Sequence, residues 1–382
     1  MGENLVATQD GGRPLMHFRE NTILSFNRAA DAGASFMEFD VQVTADGRPV
    51  IWHDDLVLSL PSGADGPPRM HRISELTLRD FKKLSQHSCS SRLEASESSA
   101  STRSAVATGA QIGSCAGEAG SQSAQLTEPA ALQARLQQSM AQKQSSAAAE
   151  AATGGGSSKV GARLLRTFNS DKGKRMHTAQ AWSVSEEDTL PTLAEVFEGV
   201  DDSVGFDIEV KMATPVELVV TPPQEVERMV GPILKAVEAL GTYGSRQIVF
   251  SSFDPEICRA LRQRQQRHPV LFLSTGGTCW HADARRMSIA AAIRWALDSN
   301  LQGLVLDSGA VQEQSQAVAT ARSKGLKVLT YGLQNNDPAW VRHQYTLGVQ
   351  GAIVDDVEGV VSAFGRAAVH AAQAHRSAEL AA

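Results

Sequence analysis

The stretch FMEFDVQVT-ADGR-PVIWHD, residues 36–54, decides the fold. Residues 36–44 and 49–54 are rich in apolar and β-branched types, which favours strands. The four residues between them, ADGR at 45–48, have turn composition. A parallel crossover needs about a dozen residues or more, so the two predicted strands must form an antiparallel hairpin.

Short apolar runs alternate with amphipathic helical patterns in the rest of the chain. Helices are predicted over residues 21–34, with Thr22 as the cap, over 255–266 and over 288–299. Such alternation predicts a parallel sheet with helices packed against it. The further strands are predicted at 205–211 (GFDIEVK), 247–253 (QIVFSSF), 269–274 (PVLFLS), 303–307 (GLVLD), 327–331 (KVLTY) and 351–355 (GAIVD).

The number of predicted strands indicates the fold class. Without the hairpin partner 49–54, seven parallel strands remain, one short of a (β/α)8 TIM barrel. The helix over residues 21–34 should follow a strand, yet residues 3–20 contain no strand of useful length. We therefore predict an α/β barrel whose first strand lies upstream of Met1, with an internal methionine numbered as the first residue.

Composition divides the chain into four parts. Residues 86–162 consist mainly of Ser, Ala, Gly and Gln and contain no aromatic residue. Such a segment cannot bury enough apolar area to offset its ordering entropy, so we predict a disordered, dispensable insertion that proteases cut first. The barrel should then consist of residues 1–85 and 163–365, followed by a tail at 366–382.

Overall composition excludes several classes of protein. The net charge of −6 gives no reason to expect nucleic-acid binding. No apolar run approaches the roughly 20 residues that span a bilayer, and the N-terminus does not resemble a secretory signal. Four cysteines without a C-x-x-C pair indicate neither a zinc site nor a disulfide framework. These features predict a cytoplasmic protein.

Carboxylates are concentrated on two of the predicted strands. Glu38 and Asp40 lie two residues apart, so both point to one face, with Cα atoms roughly 6.6 Å apart. Asp207, Glu209 and Lys211 share a face of the strand at 205–211. Carboxylates from neighbouring strands make a hard oxygen site suited to Mg²⁺ or Ca²⁺. A solvated strand face, or a carboxylate pair for glycoside hydrolysis, also fits this pattern.

The hairpin ends in His53-Asp54. A histidine there can exchange a proton near neutral pH, as general acid–base catalysis requires. A purely structural histidine fits the same position.

Taken together, these motifs resemble those of the glycerophosphodiester phosphodiesterase family, in the form found in eukaryotes. The resemblance covers residues 20–81 and 190–363, in the family's order and spacing apart from the insertion. The matching motifs are ENT at 20–22, FMEFDV at 36–41, TADG at 44–47, VIWHD at 50–54, ISELTL at 73–78, LPTL at 190–193, IEVK at 208–211, SSFD at 251–254 and NND at 335–337.

The resemblance implies a fold, a reaction and roles for particular residues. Glu38, Asp40 and Glu209 match the metal ligands of the family, Lys211 its phosphate-side lysine and His53 its second catalytic histidine. The implied reaction is metal-dependent hydrolysis of small glycerophosphodiesters such as glycerophosphocholine. The substrate's own hydroxyl attacks phosphorus, two histidines move protons, and glycerol 3-phosphate and an alcohol result. Glu20 is expected to anchor the loop before the first helix.

One element of the family pattern is absent. The family begins with a strand ending in His-Arg-Gly, which supplies the first catalytic histidine and a phosphate-binding arginine. His17 and Arg19 do not occupy the matching positions. We therefore expect the chain numbered from Met1 to hydrolyse its substrate poorly and a longer native chain to be active. The plastid is the alternative compartment if a targeting segment precedes Met1.

Two other readings of these residues remain. The first is a pseudo-enzyme that binds a phosphodiester without turnover. The second is a glycosidase using Glu38 and Glu209, which leaves His53 and Lys211 unexplained.

Overall fold

The structure is a computed structural model that describes residues 5–6, 15–60, 69–89, 163–168, 178–181, 184–186, 188–240 and 246–365. The strands are β1 (Leu5–Val6), β2 (Leu15–Phe18), β3 (Phe36–Val43), β4 (Pro49–Ile51), β5 (Val57–Leu60), β6 (Arg69–His71), β7 (Arg163–Phe168), β8 (Thr178–Ala181), β9 (Val184–Glu186), β10 (Gly205–Val210), β11 (Ile248–Ser252), β12 (Val270–Ser274), β13 (Gly303–Asp307), β14 (Lys327–Tyr331) and β15 (Gly351–Ala352).

The α-helices alternate with the later strands. They are α1 (Ile23–Ala32), α2 (Leu78–Cys89), α3 (Leu193–Gly199), α4 (Pro223–Leu240), α5 (Pro255–Arg264), α6 (Ile289–Asp298), α7 (Ser308–Glu313), α8 (Gln316–Ser323), α9 (Pro338–Leu347) and α10 (Val357–Phe364).

A curled eight-stranded sheet forms the centre of the molecule, in the order β15-β14-β13-β12-β11-β10-β3-β4. Every pairing in it is parallel except that of β3 with β4, in which Val41 lies opposite Ile51. The predicted hairpin and the seven parallel strands are therefore confirmed. Among the described residues, no hydrogen-bonded ladder joins β15 to β4.

The sequence predicted no strand of useful length before α1, but the structure has a short strand there, β2. It pairs antiparallel with β1 and parallel with β9, in a three-stranded sheet separate from the central one. The pairing with β9 involves residues about 170 positions away along the chain, which a local sequence pattern does not reveal. The expectation of a first barrel strand upstream of Met1 stays a prediction.

The outer face of the central sheet packs against the helices to form the largest apolar core. Phe39 on β3 and Phe206 on β10 are fully buried there, with an edge-to-face ring contact at 5.0 Å. Because side chains alternate along a strand, placing these residues outward directs Glu38, Asp40 and Glu209 inward. The packing of the outer core thus fixes which residues face the barrel interior.

A second, antiparallel sheet, in the order β6-β5-β7-β8, follows the hairpin. It shares a small apolar core with the hairpin and with α2, in which Trp52, Val57 and Phe81 are buried. Helix α2 continues to Cys89, past position 86 where the predicted insertion begins. Residues 90–162 and 366–382 lie outside the described residues, so the insertion and the tail stay predictions.

Helix α1 begins as the sequence predicts. The Thr22 hydroxyl accepts a hydrogen bond from the Ser25 amide, and the Ser25 hydroxyl accepts one from the Thr22 amide. Gly33 ends the helix in the left-handed region, at φ 107°. This reciprocal cap fixes where the chain enters α1, immediately after residues 19–21.

Two predicted absences concern membranes and cysteines. None of the helices in the described part of the chain combines the length and the apolar character needed to cross a bilayer. Cys258, which is buried, and Cys279, which is exposed, are both free thiols.

Candidate active site

The candidate site lies where β3 and β10 run side by side. The register places Asp207 opposite Glu38 and Glu209 opposite Asp40, so the four carboxyl groups extend into the barrel interior from adjacent strands. Glu209 and Asp40 lie nearer the carboxyl ends of their strands. In parallel α/β barrels, this is the end at which active sites are built.

Three of these carboxylates form a compact cluster. Glu38, Asp40 and Glu209 each contribute an oxygen that lies within 4.8 Å of the other two. Asp40 and Glu209 are buried, and Glu38 is half-buried. The structure thus brings together the three residues that the sequence analysis selected as metal ligands.

Burial and mutual repulsion govern the charges in this cluster. Burial, opposed by Lys211 and reinforced by Asp40 and Glu38, raises the pKa of Glu209 to about 8. Burial likewise raises the pKa of Glu38. Burial would also raise the pKa of Asp40, but the charges of Lys211 and His53 hold it well below its usual range. Three crowded carboxyl groups of this kind fit a divalent cation, whose charge would offset their repulsion.

Lys211 immediately follows β10 and lies against the cluster. Its Nζ is 3.1 Å from Asp40 Oδ1 and 3.3 Å from Glu209 Oε1. Burial opposes its charge, yet these two carboxylates raise the pKa of Lys211 well above its usual value. The Lys211 ammonium therefore stays positively charged beside the position where a metal ion would be bound.

Asp207 lies at the level of Glu38, two residues before Glu209 on β10. It accepts a hydrogen bond of 2.7 Å from the Ser251 hydroxyl, and burial, together with the charge of Glu38, raises its pKa to about 7. Asp207 shares the strand face predicted from the sequence but does not belong to the group of three.

His53 follows the hairpin strand β4 and lies next to the cluster. Its Nδ1 is 2.9 Å from Asp54 Oδ1. Burial and the charge of Lys211 lower the pKa of His53. The charges of Asp40 and Glu20 and the hydrogen bond to Asp54 outweigh these effects and raise the pKa to about 9. At neutral pH both ring nitrogens of His53 therefore carry a proton, and the ring is positively charged.

Gln42 positions the His53 segment, and the sequence analysis missed it. Its side-chain amide donates hydrogen bonds to the carbonyl oxygens of Trp52 (3.0 Å) and Asp54 (2.9 Å), on either side of His53. The sequence did contain a signal for an inward position, because Gln42 continues the series 38, 40, 42 on the same face of β3. A polar residue at that position has to find partners within the barrel mouth.

The segment at residues 19–22 closes one side of the cluster. The Asn21 amide donates to Asp40 Oδ2 at 3.0 Å, and Asn21 Oδ1 accepts from the Asp40 backbone amide at 3.3 Å. Asn21 adopts a left-handed conformation at φ 57°, which asparagine tolerates better than most residues. Burial raises the pKa of Glu20 to about 7, and Glu20 is not one of the three clustered carboxylates. The Arg19 side chain is buried.

The remaining residue considered in the sequence analysis is His17. It belongs to β2, outside the central sheet, and its side chain lies outside the described part of the structure.

Comparisons with known proteins agree with this geometry. The model of the glycerophosphoryl diester phosphodiesterase family matches residues 11–359. A glycerophosphodiester phosphodiesterase of Arabidopsis thaliana is 30% identical over 94% of this chain and 74% of its own length. A glycerophosphocholine phosphodiesterase of Eremothecium gossypii is 34% identical over 89% of this chain, but over only 24% of its own length.

Solved structures support the fold alone. A putative glycerophosphoryl diester phosphodiesterase from Silicibacter pomeroyi superimposes with a TM-score of 0.51 at 17% identity, covering 92% of this chain and 94% of its own. A glycerophosphodiester phosphodiesterase from Parabacteroides distasonis also gives 0.51, at 14% identity and with 97% and 95% coverage. Because the family model matches most of the sequence, the chain belongs to the glycerophosphoryl diester phosphodiesterase family.

Proposed function

We propose that this protein hydrolyses glycerophosphodiesters to sn-glycerol 3-phosphate and an alcohol, with glycerophosphocholine as a substrate. The observation that carries the proposal is the convergence of Glu38, Asp40, Glu209, Lys211 and His53 at one end of the barrel. Each of these side chains has a task in cleaving a phosphodiester. The named relatives act on the same class of compound.

Glu38, Asp40 and Glu209 would hold one divalent cation, Mg²⁺ or Ca²⁺. The bound cation would neutralise phosphate charge and orient the ester. Lys211 would bind a phosphate oxygen on the β10 side, since its ammonium is already fixed at the cluster. Asn21 would keep Asp40 in its position through two hydrogen bonds.

His53 would move a proton at the ester. Since its pKa is about 9, it is protonated at neutral pH and can give its Nε2 proton to the oxygen of the departing alcohol. The contact between Nδ1 and Asp54 directs Nε2 away from Asp54. Gln42 limits the movement of this segment by holding the carbonyl groups on both sides.

The compartment is also part of the proposal. We place the protein in the cytoplasm, with the plastid as the alternative, because one Arabidopsis thaliana relative, 31% identical over 90% of this chain, is chloroplastic. Fractionation with an antibody against the native protein distinguishes the two.

An assay of the purified native protein tests the function. Glycerophosphocholine and glycerophosphoglycerol are each incubated with Mg²⁺, with Ca²⁺ or with a chelator, and glycerol 3-phosphate is measured. We expect metal-dependent release of glycerol 3-phosphate that the chelator abolishes. Binding of the diester without turnover would favour the pseudo-enzyme, and release of glycerol 3-phosphate that persists with chelator would contradict the assigned site.

A further inference from the structure

One short segment joins two elements of the site. Residues 184–186 form β9 and pair with β2, which leads into the turn at residues 19–22. A few residues later, the Pro191 carbonyl accepts a hydrogen bond of 3.0 Å from the Ile51 amide of the hairpin strand β4. We call residues 184–186 and 188–192 the tie. The tie therefore contacts both segments that flank the acidic cluster.

Asp188 is the residue of the tie that bonds to the backbone of α1. Its Oδ2 accepts a hydrogen bond of 2.9 Å from the Leu24 amide, and its Oδ1 accepts one of 2.7 Å from the Thr189 amide. Leu24 is the second residue of α1, and the amides of the first helical turn have no acceptor within the helix. A carboxylate there also lies at the positive end of the helix dipole. Asp188 thus fixes the start of α1 from 164 positions away along the chain.

A second contact between the tie and α1 differs in kind. Glu186 Oε2 lies 3.7 Å from Arg28 Nη2, and both side chains are nearly half exposed, at 44% and 48%. An exposed ion pair of this kind contributes little to stability, because solvent screens it. Glu186 and Asp188 therefore both contact α1, but of the two it is Asp188 that bonds to the helix backbone.

The start of α1 is connected to Asp40 through Asn21. The Thr22 hydroxyl, which caps α1, also donates to the Arg19 carbonyl at 2.8 Å and closes the turn over residues 19–22. Asn21, inside this turn, bonds to both the side chain and the backbone amide of Asp40. Its left-handed backbone conformation persists only while neighbouring contacts hold the turn. A displaced first turn of α1 would therefore move Asn21 relative to Asp40.

The orientation of Asp40 matters to the acidic cluster. Its Oδ2 accepts from Asn21 and its Oδ1 faces Lys211 Nζ at 3.1 Å, so each carboxylate oxygen has a neighbour that holds it. Hydrogen bonds to a ligating carboxylate orient it and affect metal affinity. Loss of the Asn21 contact would allow Asp40 to rotate away from Glu38 and Glu209.

We propose that Asp188 is a positioning residue of the metal site, which fixes the start of α1 and, through Asn21, orients the ligand Asp40. This inference rests on the proposed function. Asp188 is not one of the clustered carboxylates, so its effect on a bound cation is indirect. The geometry of Asp40 therefore depends on the tie, which lies far from β3 along the chain.

Calorimetric titration of Mg²⁺ into the purified native protein measures the effect. Asn21→Gly tolerates the left-handed turn and removes the side chain, and it should weaken Mg²⁺ binding by about 10–100-fold, the usual effect for a direct partner of a ligand. Asp188→Ala acts one step further away and should weaken binding by about three- to tenfold. Asp188→Asn keeps one carbonyl acceptor, should weaken binding by a smaller factor, and replaces Asp188→Ala if that variant does not fold.

A double-mutant cycle distinguishes positioning from general stabilisation. If Asp188 acts through Asn21, Asp188→Ala should change Mg²⁺ affinity by less than about twofold in the Asn21→Gly background. A purely structural role would instead give the same factor in both backgrounds. Glu186→Gln, on the same tie, is the matched control and should leave Mg²⁺ affinity at its original value.

Hydrogen exchange without metal gives an independent readout. In Asp188→Ala, peptides that cover residues 19–24 and 36–41 should exchange faster, because the Leu24 amide loses its acceptor and Asn21 holds the Asp40 amide less firmly. A peptide from β13 should exchange at its original rate. Faster exchange in every peptide would indicate a loss of global stability and overturn the positioning role.

The outcomes separate this inference from the function on which it rests. No Mg²⁺ binding by the unmodified protein would overturn the metal site of the proposed function, and this inference with it. Mg²⁺ binding with unchanged affinity in the Asp188 variants would overturn the inference alone. An equal loss of affinity in the presence and absence of the Asn21 side chain would show that Asp188 does not act through Asn21, and would overturn it too.

Discussion

The barrel interior has two halves that share one backbone arrangement and differ in chemistry. On β3 and β10, the inward positions are Glu38, Asp40, Asp207 and Glu209. On β11 to β14, they include five buried aliphatic residues: Val249, Leu271, Leu273, Val305 and Leu329. The aliphatic half stabilises the fold by about 1.5–3 kcal/mol per buried side chain.

The acidic half has the opposite energetic effect. Buried carboxyl groups that repel one another destabilise the fold unless a cation compensates them. Substitutions in the two halves should therefore act in opposite directions on stability, and only those in the acidic half should remove activity.

The largest effect is expected from Glu209→Gln. Loss of one ligand should reduce turnover by about a thousandfold or more, since metal affinity and phosphate orientation are lost together. The same variant should be more stable than the original protein in the absence of metal above about pH 8, where Glu209 loses its proton and the amide of the variant stays neutral. Glycerol 3-phosphate release and thermal unfolding in chelator measure the two effects.

Glu227→Gln provides the matched control for Glu209→Gln. Glu227 lies on the surface, where it pairs with Arg264, and its replacement should change neither quantity appreciably. A Glu209→Gln variant that unfolds at lower temperature than the original without metal above about pH 8 would contradict the energetic account of the acidic half.

His53→Ala should reduce turnover by about 10²–10⁴-fold, the usual contribution of general acid–base catalysis. Metal affinity should change little, since His53 is not one of the clustered carboxylates. Steady-state kinetics and calorimetry on the same preparation check both statements. His343→Ala, on the exposed surface of α9, is the control and should retain full activity. Retention of activity by His53→Ala would remove His53 from the mechanism.

Leu271→Ala tests the aliphatic half. Leu271 is fully buried in the interior cluster, so the variant should lose about 2–5 kcal/mol of unfolding free energy by leaving a cavity. Denaturant unfolding measures this loss, and the folded fraction should keep its turnover number. Leu297→Ala, at a position 38% exposed on α6, should cost much less. Equal losses for the two variants would show that the interior of this half is not tightly packed.

A smaller effect is the change in folding stability with pH, between about pH 6.5 and 8, in the absence of metal. The folded pKa of Glu209 is raised to about 8 and that of His53 to about 9, so the folded chain binds more protons than the unfolded chain. Stability should therefore fall as pH rises through this window. Chemical denaturation in chelator at several pH values measures the slope. Saturating Mg²⁺ should flatten the slope by keeping Glu209 ionised, and a slope that is positive without metal would contradict these shifts.

The sequence predicts local features well where one pattern determines them. The strand over residues 303–307, the hairpin and the Thr22 cap all match the structure, because periodicity and turn chemistry act over a few residues. The last strand is shorter than predicted, Gly351–Ala352 in place of residues 351–355.

Features that depend on distant contacts were not predictable. Strand β2 depends on β9, about 170 residues away, and the antiparallel sheet of β5 to β8 joins segments on both sides of residues 90–162. Two strands that each repeat carboxylates with period two indicated an acidic site, and the family resemblance selected Glu38, Asp40 and Glu209 as the ligand candidates. Asn21 and Gln42 were missed because their roles depend on tertiary contacts with Asp40 and with the backbone on either side of His53.

Calorimetric titration of Mg²⁺ or Ca²⁺ into the purified chain tests the central claim most directly. The account predicts one bound ion per chain, with protons released as binding displaces them from Glu209, so the measured heat should depend on the ionisation enthalpy of the buffer. The Glu38→Ala/Glu209→Ala double variant should show no binding. Undiminished binding by the double variant would contradict the assignment of the acidic half as a metal site.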